Sequence, residues 1–379
     1  MVKTNLTKLY EVYKNNLYIE DTDRIDVVLA TALSQKLPGI PLWLIIVGAS
    51  GDMKSVQLNA LDHKNTYVLH NLTSKTLVNG YPDKVKFPDL APELDGKLVI
   101  IPDLAQILKL PPTEKAELWG QLRDLYDGFA GKLSGQGSRA KYKDLKVTLM
   151  AGSTPAIDGQ ILVHQDLGTR ELIYRTNGNL NKDLLMEKCF MNEEFESEIK
   201  HKLNDVTTSF LQDIEIRRVE PTLELQKEIK KVSIYISMMR STAEIDSYTN
   251  TLRNEVSPEE PSRIAKQLKR MYICLKSLDE KYPDDKAIRI LWHLAKSSAF
   301  PLRIKVFELL FNTLKEYSTS QIAEILKVGK STAQRETHIM WNLGLLKLRR
   351  EETNVPDRFY DYWVINVNNP FVKDLLFRP

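Results

Sequence analysis

The sequence predicts a mostly parallel α/β domain, then an all-helical region, then a small helix-and-hairpin module. Three observations carry this. Strand-like and helix-like segments alternate from residue 42 to 176, the pattern of a parallel sheet with crossover connections. From 180 to about 315 nearly everything has helical periodicity, with heavy charge and few breakers. Over 300–379, three helical stretches precede a hairpin pattern. The expected boundaries are 1–40 for an N-terminal helical segment, 41–178 for the α/β core, 179–299 for the helical region and 300–379 for the last module.

Residues 1–37 read as helical: Leu6, Leu9, Tyr10, Tyr13 and Leu17 recur at helical spacing, as do Val28, Leu29, Ala32 and Leu33. Pro38-Gly39 and Pro41 break the helix and launch a buried-type strand, Leu42 to Val47. A loop follows, Gly48-Ala-Ser-Gly-Asp-Met-Lys-Ser55, and then an amphipathic helix with Val56, Leu58 and Leu61 inward. Thr66–His70 is a short strand candidate. Gly96–Asp103 is a strand that ends in an acid, Glu114–Tyr126 a helix, Lys146–Thr154 another strand and Glu171–Tyr174 a possible last one.

Strand, Gly loop, Lys-Ser and helix, in that order, make a phosphate-binding loop. Gly48 and Gly51 let the backbone turn its N–H groups inward, Lys54 reaches the β/γ-phosphates, and the Ser55 hydroxyl sits on Mg²⁺. The consensus has Gly where Met53 stands, and a Gly turn before an ordinary helix carrying Lys-Ser is the bland alternative. Asp103, delivered by the strand Leu98–Ile101, is the expected second ligand to Mg²⁺; a helix N-cap is its alternative. Leu104 follows it where many ATPases have Glu, so the water-activating base is open among Glu114, Glu117, Asp124 and Asp127. Ser153-Thr154 ends a third strand, where Thr154 can sense a γ-phosphate or simply turn the chain. Arg170 can neutralise transition-state charge, in a neighbouring subunit, or be a solvated arginine.

Composition bounds the rest. At 379 residues two or three domains are expected. Net charge of +3 excludes a global basic field, so any nucleic-acid surface is local. Cys189 and Cys274 have no metal-type spacing and read as buried small apolar side chains of a reducing cytoplasm. The first residues lack an apolar signal core, and no run reaches the ~18 apolar residues of a membrane span. The expected setting is the cytoplasm of a prokaryotic cell or a virus-infected host.

The ordered set Gly48-to-Ser55, Asp103, Ser153-Thr154 and Leu167-Gly-Thr-Arg170 resembles an AAA+ ATPase. More particularly, it resembles the helicase-like ATPases of phages and mobile elements, relatives of the minichromosome-maintenance and primase-helicase group. The resemblance covers about residues 20–300 and implies an α/β P-loop NTPase core with an all-α lid. Glu260-Pro-Ser-Arg263 is similar to the lid-helix segment, which makes Arg263 a γ-phosphate contact; the Tyr235–Arg240 helix also fits the lid. It further implies ATP and Mg²⁺ as cofactors, a homo-oligomeric ring, hexameric by preference, and a DNA-gripping hairpin between Asp103 and Ser153. The Gly-rich segment 126–143 stands there, with Lys132, Arg139, Lys141 and Lys143 and no acid from Ala130 to Lys143; a solvated loop is the alternative.

The last module starts with a helix carrying Leu302, Val306, Leu309, Leu310 and Leu314. Ser318-Thr-Ser-Gln321 is a capping box that opens Ile322–Leu326, Val328-Gly329 turns the chain, and Lys330–Leu343 is the next helix. Leu345–Arg350 and Tyr360–Asn366 form the hairpin. This is similar to a winged helix-turn-helix of transcription factors. Lys330, Ser331, Thr332, Gln334 and Arg335 are expected on the DNA face, Ala333, Thr337, Met340 and Leu343 inward, and Arg349, Arg350 and Arg358 on phosphate. Many such modules instead bind proteins or brace a larger machine.

Two functions follow. One is an ATP-driven DNA motor or loader, helicase-like, in replication of a mobile element, phage or plasmid. The other is an ATP-gated DNA-binding regulator with slow or absent hydrolysis. An α/β domain that no longer binds nucleotide is a third, weaker reading.

Overall fold

The computed structural model describes residues 5–19, 21–79, 81, 83, 86, 88–133, 139–159, 169–176, 181–243, 256, 258–352 and 359–376. They fall into two compact units, Met1–Ile229 with Ala265–Leu294, and Lys230–Ile264 with Ala295–Pro379.

The strands of the first unit are β1 (Trp43–Val47), β2 (Thr66–Val68), β3 (Leu98–Ile101), β4 (Ala130–Leu133), β5 (Arg139–Tyr142), β6 (Thr148–Ser153) and β7 (Leu172–Arg175). Five make one parallel sheet in the order β2-β3-β6-β1-β7. Every residue of β1, β3 and β6 is buried. β1 and β3 are unbroken apolar runs, as a sheet covered on both faces requires, and β6 buries Thr148, Gly152 and Ser153 beside its apolar residues. β4 and β5 pair separately as an antiparallel ribbon, so the basic segment 130–142 is a β-ribbon, with its tip outside the described residues.

The helices touching this sequence range are α1 (Leu6–Asn16), α2 (Thr22–Leu33), α3 (Lys54–Asn59), α4 (Ser74–Leu77), α5 (Ala105–Leu108), α6 (Pro112–Tyr126), α7 (Lys182–Asn192), α8 (Glu196–Asp213), α9 (Leu223–Arg240), α10 (Ser262–Leu278) and α11 (Asp284–Ser298). The first 37 residues are not one helical run. Asn5 caps α1, Leu17 leaves it in an extended conformation, and the Asp21 carboxylate accepts the Asp23 N–H to start α2. From Arg24 to Leu33 α2 is buried throughout. Its Asp26 accepts from the Tyr10 and Tyr282 hydroxyls and pairs with Lys286 at 2.5 Å, tying α1 and α11 to α2.

The second unit adds α12 (Pro301–Thr313), β8 (Tyr317–Ser318), α13 (Thr319–Leu326), α14 (Lys330–Asn342), β9 (Leu346–Glu352), β10 (Phe359–Ile365) and α15 (Pro370–Leu376). Its sheet is antiparallel in the order β8-β10-β9. The capping box at Ser318 and Gln321 is formed on both sides, at 3.2 and 2.8 Å. Trp363 is fully buried and donates to Thr319 Oγ1 at 2.8 Å, which pins β10 under α13. Ala333, Thr337 and Met340 face inward as expected, while Leu343 is only half-buried.

An unexpected charge sits in this core. Glu336 is buried and pairs with the equally buried Arg303, Nε to Oε2 at 2.9 Å. Arg303 also donates to the Met239 carbonyl at 3.1 Å. No helix among the described residues is long and apolar enough to cross a membrane.

Candidate functional site

β1 runs out at Val47, and the loop Gly48–Met53 carries the chain to the start of α3 at Lys54. Each unusual residue of this loop has a physical reason. A Cβ on Gly48 would lie 2.2 Å from both Asp52 Oδ2 and Thr176 Oγ1, so any side chain there must displace both. Gly51 has φ +82°, the left-handed region glycine enters without steric cost. Met53, standing at the consensus glycine, is also left-handed, with φ +51° and ψ +13°. For a residue with a Cβ this costs about 1–2 kcal/mol.

Lys54 is buried, and its ammonium turns back onto the loop, donating to the Gly48 carbonyl at 3.0 Å and the Ala49 carbonyl at 2.5 Å. Burial lowers its pKa, opposed by the nearby Asp52 and Asp103 carboxylates. Ser55 Oγ donates to the Pro102 carbonyl at 3.1 Å, which joins α3 to the end of β3. Asp103 follows that carbonyl. It is exposed, and its Oδ1 accepts the Ala105 N–H at 2.8 Å, while Leu104 and not Asp103 is the N-cap of α5.

Across β6, Gly152 is forced by space, because a Cβ would meet the Pro102 carbonyl oxygen at 2.4 Å. Ser153 and Thr154 come next, with Ser153 Oγ donating to the Thr154 carbonyl at 3.1 Å. A cavity of about 380 Å³ is lined by Lys54, Ser55, Asp103, Gly152, Ser153 and Thr154 together with the loop. A second, of about 580 Å³, shares Ser50, Gly51 and Asp52 and extends to Arg175, Thr176, Leu185 and Met186. Both volumes lie in the range of small-molecule sites.

Sequence reasoning missed the residues beneath the loop. Arg24 of α2 is buried and donates three hydrogen bonds: Nε to Gln57 Oε1 at 2.6 Å, Nη1 to Asp52 Oδ1 at 3.0 Å and Nη2 to the Asp52 carbonyl at 2.9 Å. Burial lowers the Arg24 pKa, opposed by Asp52. A lone Arg in the first turn of an amphipathic helix gives no sign of this in one sequence. Cys189 was expected to be buried; it is exposed, because α7 buries none of its residues, and it borders the smaller cavity. Cys274 is buried as expected.

Other sequence-named residues lie elsewhere. Arg170 does not line either cavity; its Nη2 pairs with Asp127 at 2.8 Å, and its carbonyl accepts from Gln267 at 2.6 Å. Arg263 belongs to the second unit and pairs with Glu259 one turn away. Lys132 pairs with Glu117 at 2.7 Å and holds that carboxyl below the usual range. Lys141 and Lys143 are exposed, and Arg139 opens β5.

On α14 Lys330 is exposed, Thr332 and Gln334 are half-exposed, and Arg335 donates to Glu336 at 3.1 Å. Arg349 is held by Glu316 at 2.6 Å and by Glu351, and Arg350 by Asp361 at 3.1 Å. Arg358 lies outside the described residues.

No protein-family model and no curated protein matches the chain. Among solved structures it is similar to the SCCmec type IV Cch active helicase, at 12% identity and a TM-score of 0.40, over 98% of this chain and 72% of that one. It is also similar to the apo A form of the NrS-1 C-terminal region, at 12% identity and a TM-score of 0.35, over 94% of this chain and 75% of that one. Both likenesses are distant.

Proposed function

We propose that this chain binds MgATP on the Gly48–Ser55 loop and hydrolyses it as a helicase-like motor or loader acting on DNA. One observation carries the nucleotide site. Lys54 and Ser55 at the start of α3, Asp103 after β3 and Thr154 after β6 line one cavity beyond the C-terminal ends of the neighbouring strands β1, β3 and β6. That is where open parallel sheets take ligands.

The residues fit the cofactor. Among the described residues no group of three acids, histidines or cysteines could hold a metal by itself. Ser55 and Asp103 offer one hydroxyl and one carboxylate, and Mg²⁺ commonly completes its shell with phosphate oxygens and water. Lys54 would exchange the Gly48 and Ala49 carbonyls for phosphate oxygens. The larger, partly apolar cavity has room for the rest of the nucleotide.

In this reading residues 179–299 act as an AAA+-type lid, 300–379 as a winged helix on DNA, and Arg170 and Arg263 serve sites in a ring of subunits. The β4–β5 ribbon with Lys132, Arg139, Lys141 and Lys143 would contact the DNA backbone. The second reading is an ATP-gated regulator. It is favoured by Arg170 being tied to its own Asp127 and by the buried Leu104 after Asp103.

The test is steady-state ATP hydrolysis by wild type and Lys54→Ala, each alone, with single-stranded DNA and with duplex DNA. Hydrolysis that needs Lys54 and rises with DNA supports the motor. MgATP binding without turnover supports the regulator. Lys54-independent binding removes the phosphate-loop assignment.

A further inference from the structure

The loop keeps a left-handed conformation at Met53 without a glycine there, and something must hold it. The two peptide groups flanking Met53 set its φ and ψ. The Asp52–Met53 peptide is fixed by its carbonyl, which accepts Arg24 Nη2 at 2.9 Å. The Met53–Lys54 peptide is fixed by its carbonyl, which accepts the Gln57 N–H at 3.1 Å. Arg24 joins these two anchors, because its Nε also holds the Gln57 side chain at 2.6 Å. Its Nη1 on Asp52 Oδ1 at 3.0 Å stops the guanidinium from rotating away. Turning the Asp52–Met53 peptide would relieve Met53 of its positive φ, and that turn requires Arg24 to let go of the carbonyl.

We propose that Arg24 is a positioning residue that clamps the phosphate loop across Met53, holding by hydrogen bonds the shape that a glycine would adopt unaided. The inference rests on the reading of this loop as a phosphate site. It explains why an arginine, and not a lysine, is buried in α2: only a planar fork reaches Gln57, the Asp52 side chain and the Asp52 carbonyl at once. It also predicts coupling between Arg24 and Met53, which do not need to touch.

The test uses the full chain with Arg24→Lys, Met53→Gly and the double variant, well below each thermal midpoint. Two readouts are taken: hydrogen exchange of the peptide covering 50–57 without nucleotide, and MgADP affinity by calorimetry. Arg24→Lys should speed exchange in the loop but not in β3 or β6, and weaken MgADP about tenfold, the size of one lost hydrogen bond to a charged group. Met53→Gly in the same chain should restore most of that affinity, because glycine needs no clamp. Wild-type exchange and affinity in Arg24→Lys, or a loss that Met53→Gly does not rescue, overturns the proposal. If Arg24→Lys does not fold, Gln57→Met removes the Nε partner alone and must show a smaller loss with the same rescue; no loss there overturns it too. Failure of wild type to bind MgADP sinks the phosphate-site reading instead, and loop exchange then still decides the clamp.

Discussion

Gly48→Ala is the sharpest probe of how the loop is packed. The new Cβ would arrive 2.2 Å from Asp52 Oδ2 and 2.2 Å from Thr176 Oγ1, where ordinary contact begins near 3.4 Å. Each oxygen must therefore retreat by more than an ångström. Thr176 can give way by turning its hydroxyl, whose bond to the Val47 carbonyl is long at 3.4 Å. Asp52 Oδ2 has no hydrogen-bond partner of its own, but the carboxylate cannot swing it aside without moving Oδ1, which Arg24 Nη1 holds at 3.0 Å. Relief strains a buried ion pair, whose loss of one partner would cost about 3–5 kcal/mol and so bounds the effect from above. Taking about 3 kcal/mol, a unit of this size should melt roughly 6–12 °C lower. Differential scanning fluorimetry reads the melt, and calorimetry reads MgADP, whose binding should be lost if the loop takes phosphate as proposed. A Gly48→Ala protein that melts within about 2 °C of wild type and keeps its affinity would refute the packing argument. Gly51 supplies a contrast: its φ is +82° with nothing within 4 Å of a Cβ, so conformation and not space forbids a side chain. Gly51→Asn should then be tolerated better than Gly51→Val, since Asn visits left-handed conformations more readily.

Three further outcomes test the second unit. Glu336→Ala leaves Arg303 buried without its carboxylate and should cost about 3–5 kcal/mol in urea unfolding, whereas Glu336→Gln keeps an acceptor and should cost less; equal, small losses would remove Glu336 as an anchor. His338, packed against Trp363 with ring centroids 5.2 Å apart, has its pKa pulled below the ordinary 6.5 by burial, against the pull of Asp361 at 3.8 Å. The unfolded chain therefore binds this proton first as pH falls: the stability is present above pH 6.5, is lost as pH drops through the folded value, and His338→Gln should flatten that slope in melts from pH 7.5 to about 5.5. Glu316→Gln with Glu351→Gln frees Arg349 from both acids; if this hairpin meets DNA, affinity rises and the salt slope steepens by about 0.9, and an unchanged slope places Arg349 off the DNA.

How far the sequence could be read follows from which forces leave a local trace. The parallel sheet was legible because fully buried strands need apolar runs: Trp43–Val47 and Leu98–Ile101 are unbroken ones, Thr148–Ser153 has an apolar centre, and all three lie within a residue or two of the expected ends. The Ser318–Gln321 capping box was legible because both partners lie three residues apart. The β4–β5 ribbon was expected only through the family resemblance, which implies a hairpin there; the residues alone read as a Gly-rich basic stretch, since the pairing joins residues that are not sequence neighbours. The buried charges were not legible at all. Arg24 and Asp52 are 28 residues apart, and Arg303 and Glu336 are 33 apart. Each residue alone looks like one more surface charge in a chain that is 27% charged.

The same distinction bears on Met53. Judged by the motif, a methionine at a glycine position argues against a phosphate loop. The structure gives it the backbone conformation a glycine would favour there, and supplies the restraint from a different helix. On the proposed phosphate-loop reading, the departure from consensus is a change in where the conformational cost is met. In the usual arrangement glycine removes the cost locally. Here the cost of about 1–2 kcal/mol is offset by three hydrogen bonds from Arg24, each of the size expected for a charged donor. A loop held this way depends on α2 staying in place. If the loop takes nucleotide as proposed, loosening α2, for instance by cutting the Asp26–Lys286 tie to α11, should lower that affinity without touching a single residue of the loop.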